Sequence, residues 1–554
     1  MVSISMLSMA SSLVGSSSVI NLHFSMAVQR GQYQHPTVRP CFLFLSMKLL
    51  AFLCAMCLSI ALNAQKYDYV WIIGDDNQTA DTTHGGATID FNNQPLQAKY
   101  HFRELNMFMA NASICDTSGQ LLFYTNGCDI AGADDEILPN GDGINPGAWH
   151  SILCDQNNDG YATGYPGIFI LPNPDSSDVH YLFHQSMKYG NNPVEYAFVS
   201  QLLYSVVRKV DGIPKSYFVA EKNIAIVEDT LASGEMNAVK HANGKDWWII
   251  LPRRNSNQFY IFLFTKDGIV DTLTQTIGNI PPPEKEGYGQ TTFSPDGSKM
   301  IRFYPHEAIG LYHFDRSTGL FTDFDTIHID FGNFISFDGG CAVSPNGRFL
   351  YITALTKAYQ FDLLASDISS TQTTIATWDG FVDPIAISFW RCQLGPDCKI
   401  YIIGGGDTRY YHIIHNPDEP GLACNFEQRG LVLPTPIGAS IPYFPNYRLG
   451  PIDNPGLPCT ATVAVSSPPG NRHLGVRVYP NPAGGQLTVA LEGTMGQKHI
   501  VLRNMYGQTV KQVYVTGQSE TYTLSVKDLV SGIYLWEVTT ASGVRLGAGK
   551  VIKE

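Results

Sequence analysis

Short apolar runs of four to six residues recur along the chain, broken by Gly, Asp and Asn, and helical periodicity is scarce. The stretch from Gln290 to Ile327 shows the form. "QTTF", "KMIRFY", "GLYHFD" and "LFTDFDTI" are separated by "SPDGS", "PHEA" and "RSTG". Runs this short, joined by residues that accept tight turns, predict strands that reverse quickly. Runs such as "DWWIIL" and "KIYII" are apolar at successive positions, so these strands are expected to be covered on both faces.

The pattern repeats. "AVKHANGKDWWIIL", "TTFSPDGSKMIRFY", "CAVSPNGRFLYITA" and "CQLGPDCKIYIIGG" share a strand, an Asn or Asp turn and a stronger strand. Their turn positions Gly244, Gly297, Gly347 and Cys398 are separated by 53, 50 and 51 residues. An earlier copy, "SICDTSGQLLFYT", puts Gly119 125 residues before Gly244, room for two longer units, with "LPNPDSSDVHYLFHQ" as the diverged one between. A period of this size, with about four strands per unit, predicts a β-propeller. Six units are countable. "YDYVWIIG" (67 to 74) has no repeat of its own, and the segment from Tyr410 to Arg448 lacks a strand; joining them would close a ring of about seven blades and remove its exposed edges. A position that exchanges Asn, Asp and Cys between copies reads as a turn, so Asp296 is not taken as a ligand.

Past "NYRLGPIDNPGLPC" the composition shifts to Thr, Ser, Pro and Gly, which predicts a linker over 456–475 after a propeller over 65–455. Short alternating runs over 476–554 then predict a small Ig-like β-sandwich. The expected fold class is all-β throughout, in at least two domains, which suits a chain of 554 residues with 51 Gly, 32 Pro and only 15% charged residues.

Near the N-terminus, "MKLLAFLCAMCLSIALNAQ" has a basic residue at Lys48, an apolar run from Leu49 to Leu62 and a small residue at Ala64 before Gln65. This predicts a secretory signal peptide over 47–64, cleaved between Ala64 and Gln65 and too short to span a membrane. Residues 1–46 would bury that signal inside the chain. They read as a mis-assigned start, with a genuine long extension as the alternative. The formal net charge is -13, and loss of residues 1–64, which hold Arg30, Arg39 and Lys48 and no acid, takes it to -16. Nucleic acid and anionic membrane are therefore poor partners. Eight of the 11 Cys follow the signal, an even number that permits disulfides in an exported protein. Spacing nominates Cys392 with Cys398 and, less firmly, Cys115 with Cys128; it offers no zinc ligand set.

The tail resembles the type A C-terminal sorting domain of the type IX secretion system of Bacteroidetes. The matching pieces are Tyr479-Pro480-Asn481-Pro482, Met505-Tyr506-Gly507-Gln508, Leu529 to Tyr534 and Gly549-Lys550-Val551. The resemblance implies export to the periplasm, recognition of residues 476–554 by the secretion machinery, and release or attachment at the cell surface. Residues 67 to 450 resemble propeller-like (WD40- or YVTN-like) proteins that carry this tail, through "SICDTSGQLLFYTNG", "AVKHANGKDWWIIL", "QLGPDCKIYI" and "NPDEPGLACNFEQRGLVL". The second resemblance implies a fold and a location and no reaction. Cys398 stands where that family has Gly, which makes a local Cys392 to Cys398 bridge more plausible.

No motif converges on catalysis. "CDQNNDGY" places Asp155, Asn157 and Asp159 as in the first half of a calcium loop, but Pro166 stands where a bidentate Glu belongs, so an ordinary turn competes with a calcium site. Asp75, Asp76 and Asp81, or Asp134, Asp135 and Glu136, could supply paired carboxylates for glycosidic cleavage, which needs two acids about 5 to 10 Å apart across a cleft; solvated loop acids are the alternative. No GxSxG elbow, P-loop or dinucleotide fingerprint is present, and "HGG" from His84 lacks the context of an oxyanion loop. Trp149, His150 and Tyr288 could line a sugar- or peptide-binding face, or cap the core. Two functions are thus expected in competition: an extracellular protein- or glycan-binding propeller that is not an enzyme and needs no cofactor, and a propeller hydrolase or lyase acting on polysaccharide.

Overall fold

The computed structural model describes residues 65–74, 86–108, 110–192, 195–213, 216–281, 289–305, 308–332, 338–406, 408–438, 441–459, 476–491, 497–504, 508–515, 521–540 and 545–554. Among the described residues, seven antiparallel sheets follow one another between Val70 and Ile437. The first joins Val70–Ile73, Ala87–Asp90 and Ala98–Tyr100, and the second joins Ala112–Cys115, Leu121–Thr125 and Ile130–Gly132. Four strands make up each of the next five, which begin at Ile168, Asn237, Gln290, Gly340 and Cys392. In every one of them spatial order follows chain order, the plan of a propeller-like all-β fold.

The first strands gather on the inside. They neighbour one another from the first sheet to the third and from the fourth to the seventh. The first and seventh sheets also meet: Trp71 lies 5.4 Å from Tyr401 and Phe91 lies 5.6 Å from it, ring to ring. Second strands such as Trp247–Pro252, Phe349–Ala354 and Ile400–Ile403 are buried at every position. Each large apolar side chain so enclosed contributes about 1.5–3 kcal/mol.

The turns follow their sequence. Gly119, Gly244, Gly297 and Gly347 all have φ between +71° and +89°, a region open to glycine. Asp296 closes the Ser-Pro-Asp-Gly turn by accepting from the Ser294 hydroxyl at 2.6 Å and the Ser298 amide at 3.1 Å. Burial works against its charge, yet these hydrogen bonds hold its carboxyl below the usual range. Its side chain is committed to the turn.

Two expectations are corrected. Val70–Ile73 does not complete the last unit: it pairs with Ala87–Asp90, and the seventh sheet has its own fourth strand, Phe426–Ile437. The sequence after residue 86 supplies partners that show no repeat turn. The disulfides are also longer in reach than spacing indicated. Cys398 is bonded to Cys459, 61 residues away, and Cys128 to Cys154, 26 residues away. Cys392 and Cys115 are buried free thiols. Cys392 heads a strand whose side chain enters the core, whereas Cys398 sits in the turn at φ +65°, where a tether to a later segment can hold the strained backbone. That tether keeps the chain attached to this body through Cys459, beyond the boundary expected at 455.

The C-terminal region forms two antiparallel sheets. Val476–Tyr479, Gln486–Leu491 and Thr521–Ser525 make one; Thr509–Val515, Lys498–Arg503, Gly532–Thr540 and Arg545–Lys553 make the other. Leu487, Val489, Ile500, Leu502, Val538 and Val551 are buried in one core between them. Among the described residues, no helix is long and apolar enough to cross a membrane.

Candidate functional site

After Phe426–Ile437, the fourth strand of the seventh sheet, the chain crosses the space among the first strands. The Tyr443 hydroxyl donates to Asn237 Oδ1 at 2.7 Å, the Asn446 amide to the Pro295 carbonyl at 2.8 Å, and the Tyr447 hydroxyl to the Ile170 carbonyl at 2.7 Å. Arg448 Nη1 reaches Asp68 Oδ2 at 2.9 Å, and Arg316 Nη2 donates to the Gly450 carbonyl at 2.5 Å. Residues 443–450 therefore act as a plug tied to the first, third, fourth and fifth sheets. A cavity of about 70 Å³ lies between this segment and the first strands of the fourth to seventh sheets.

The sequence-nominated residues do not form one site. The Trp149 indole donates to the Ala162 carbonyl at 3.0 Å and its ring meets Tyr189 at 5.1 Å. His150 is buried with Nδ1 2.7 Å from the Ile144 carbonyl, and its other nitrogen faces Asp155 Oδ1 at 3.4 Å. These contacts fix a corner of the fold. Tyr288 and Ala64 lie outside the described residues, which begin at Gln65. Asp155 lies within a helical turn, Ser151–Gln156, with Asn157 after it, and Asp159 donates its amide to the Leu153 carbonyl at 2.8 Å. A helical turn is not the extended loop in which alternate side chains converge on calcium, so the sequence match does not carry the ligand geometry. The Cys128 and Cys154 sulfurs lie with His150 within 4.8 Å of one another, but as a disulfide they offer no thiolate.

The acidic stretch behaves likewise. Asp135 takes the Tyr124 hydroxyl at 2.9 Å, His101 Nε2 at 2.6 Å and Arg103 Nε at 3.2 Å. It is an anchor for three side chains. Asp75, Asp76, Asp81 and His84 lie outside the described residues.

One arrangement has the outline of a nucleophilic triad. His184 places Nε2 3.1 Å from Ser205 Oγ and Nδ1 2.6 Å from Asn145 Oδ1. All three are sealed in the interior, and Ser205 Oγ also accepts the Asn223 amide at 3.1 Å. Burial pushes the His184 imidazole down to about 3, so it is neutral. With no access and every group satisfied, the network fastens the third sheet to the loop before it.

A cluster at the fourth and fifth sheets was not foreseen. Arg302 Nε donates to Glu235 Oε2 at 2.6 Å, and the Tyr304 hydroxyl donates to the same carboxylate at 2.6 and 2.7 Å. Glu235 has φ +58°, and all three residues are buried. Burial opposes the Arg302 charge, but Glu235 more than restores it and holds the guanidinium pKa above its ordinary value. Burial, followed by the carboxylate, raises the Tyr304 phenol well above its usual range. The signal in the sequence was Arg302, set between Met300-Ile301 and Phe303-Tyr304.

Residues 477–554 match the secretion system C-terminal sorting domain. A sorting domain of this kind implies a secreted or cell-surface protein that engages the type IX secretion machinery. A comparison with curated proteins yields no match. Among solved structures, a protein from Lactobacillus plantarum is 11% identical, over 68% of this chain and 100% of that one, with a TM-score of 0.42. The β-propeller domain of Cps50 (Swd1) from Myceliophteria thermophila is 8% identical over 61% and 93%, with a TM-score of 0.31. The Dos1 propeller is 10% identical over 74% and 84%, with a TM-score of 0.32.

Proposed function

We propose that the protein is a non-catalytic binding module displayed outside the cell, built as a closed ring of seven blades and carried there by an Ig-like sorting sandwich. The observation that carries this reading is the plug. Residues 443–450 take the space on the axis where a channel ligand would sit, so partners meet loops on the rim. Support also comes from Asp135, which is paired with Tyr124, His101 and Arg103, and from the triad-like group, which is sealed in the core. In this reading the host belongs to Bacteroidetes, residues 47–64 are the export signal cut between Ala64 and Gln65, and the ligand is an extracellular protein or glycan.

The test is a glycan array together with hydrolase and lyase screening of the chain from Gln65 onward. Saturable binding without turnover is the expected result. Multiple turnover of a polysaccharide would replace this reading with the enzymatic one.

A further inference from the structure

Cys128, His150 and Cys154 bring two sulfurs and a ring nitrogen within 4.8 Å of one another. His150 and Cys154 stand four residues apart on one continuous helical segment, Ala148–His150 followed by Ser151–Gln156, a spacing that puts side chains on the same face. Cys128 comes from a different part of the chain, and hydrogen bonds hold its backbone there independently of the disulfide. Its amide donates to Asn126 Oδ1 at 3.0 Å and its carbonyl accepts the Ile144 amide at 2.7 Å. The Ile144 carbonyl in turn accepts from His150 Nδ1 at 2.7 Å. One residue thus fixes the backbone of Cys128 and the ring of His150 against each other. A carbonyl only accepts, so Nδ1 carries the proton and Nε2 keeps a lone pair, the arrangement of a histidine that ligates a metal.

Opening the Cys128–Cys154 bond would set two thiolates beside that nitrogen. Tetrahedral zinc, with bonds of about 2.3 Å to sulfur and about 2.0–2.1 Å to nitrogen, puts neighbouring ligand atoms about 3.3–3.8 Å apart. The two cysteine Cα atoms are 5.7 Å apart, so the freed sulfurs can separate that far by side-chain rotation. Asp155 Oδ1 already stands 3.4 Å from His150 Nε2, and its side chain is 61% exposed, which places a fourth donor on the side open to solvent. Cys154 beside it is only partly buried, so a small reductant and an ion approach from that same side. Two thiolates and an imidazole select zinc over the oxygen-seeking calcium.

We propose that the reduced form of this corner is a zinc site, with Cys128 Sγ, Cys154 Sγ, His150 Nε2 and Asp155 Oδ1 as ligands, and that disulfide and metal are alternative states of it. A dithiol reductant supplies two electrons and two protons to break the S–S bond and itself becomes a disulfide. Zn²⁺ then displaces the two thiol protons to solvent. The site is independent of the binding function proposed above. It is tested with the chain from Ala64 to Glu554, which forms one compact unit, carrying Cys398→Ser and Cys459→Ser so that the other disulfide supplies no thiol. Dialysis against buffered Zn²⁺ is expected to leave one tightly held ion on the chain reduced with tris(2-carboxyethyl)phosphine and none on the oxidised chain. Co²⁺ in place of zinc is expected to give the sulfur-to-cobalt charge transfer and strong visible bands of a tetrahedral thiolate site. His150→Gln and Cys154→Ser are each expected to weaken zinc by about tenfold or more, and Asp155→Asn, at an exposed position, by a smaller factor. A reduced chain that holds no zinc overturns the site, as does zinc held equally by the oxidised chain or by Cys154→Ser. Cobalt bands without thiolate charge transfer overturn the donor set, and an unchanged affinity in Asp155→Asn overturns the fourth ligand.

Discussion

Arg448 and Asp68 form a buried ion pair, Nη1 to Oδ2 2.9 Å, between residues 380 positions apart. Asp68 precedes the first of the seven sheets and Arg448 follows the seventh, so the pair fastens the two ends of that series through the segment 443–450. Burial alone would weaken the Arg448 cation; Asp68 offsets this and raises its pKa.

Removing one partner of such a pair leaves an uncompensated charge in the interior. Arg448→Met is expected to cost about 3–5 kcal/mol in urea unfolding, and Asp68→Asn combined with Arg448→Met considerably less than the single change. Equal loss in the single and double variants would show that the plug is not held by this pair.

Cys459→Ser opens the loop that binds the end of the plug to the seventh sheet and is expected to cost about 2–4 kcal/mol. A peptide map without reductant should contain Cys128 linked to Cys154, Cys398 linked to Cys459, and unlinked Cys392. A Cys392 to Cys398 peptide in that map would contradict the structure.

Acid should destabilise the sheets. Burial pushes His180 down to about 4, His184 to about 3 and His412 to about 4. These folded-state values lie below the unfolded value of about 6.5. The unfolded chain therefore takes up protons first as pH falls. Stability is greatest above about pH 6.5 and declines toward pH 4, each histidine adding up to about 1.4 kcal/mol per pH unit. His180 sits between the rings of Phe123 and Tyr217 with neither nitrogen hydrogen-bonded, so His180→Phe should flatten the decline between pH 7 and 5. An unchanged slope in that variant would remove His180 from the account.

Deletion of residues 476–554 should leave the seven sheets folded and the protein confined to the periplasm. Recovery of the truncated chain at the cell surface or in the medium would refute the sorting role.

Peptides from residues 1–64 should be missing from mass spectra of the exported protein. Detection of any one of them would defeat the proposed export signal.

The repeat turns were legible because each is written in consecutive residues. Asn or Asp followed by Gly encodes its own φ, and Gly244, Gly297 and Gly347 adopt it. The strands between them were legible because period-two and fully apolar runs depend on neighbours along the chain. The sorting tail was legible as a set of short motifs in order. Cys398 misled because its spacing from Cys392 is short, while the side chains diverge: one enters the core and the other leaves a turn toward Cys459. Trp149 read as surface chemistry because composition does not tell that its indole is committed to the Ala162 carbonyl.

The sequence by itself determined an all-β chain, its repeat period, its tight turns and its exported tail, since all of these reside in local pattern. Tertiary structure alone decided that residues 443–450 pack among the first strands, that Asp68 meets Arg448, and that Glu235 meets Arg302. These partners are 67 to 380 residues apart, and only the stacking of one sheet on the next brings them within hydrogen-bond reach.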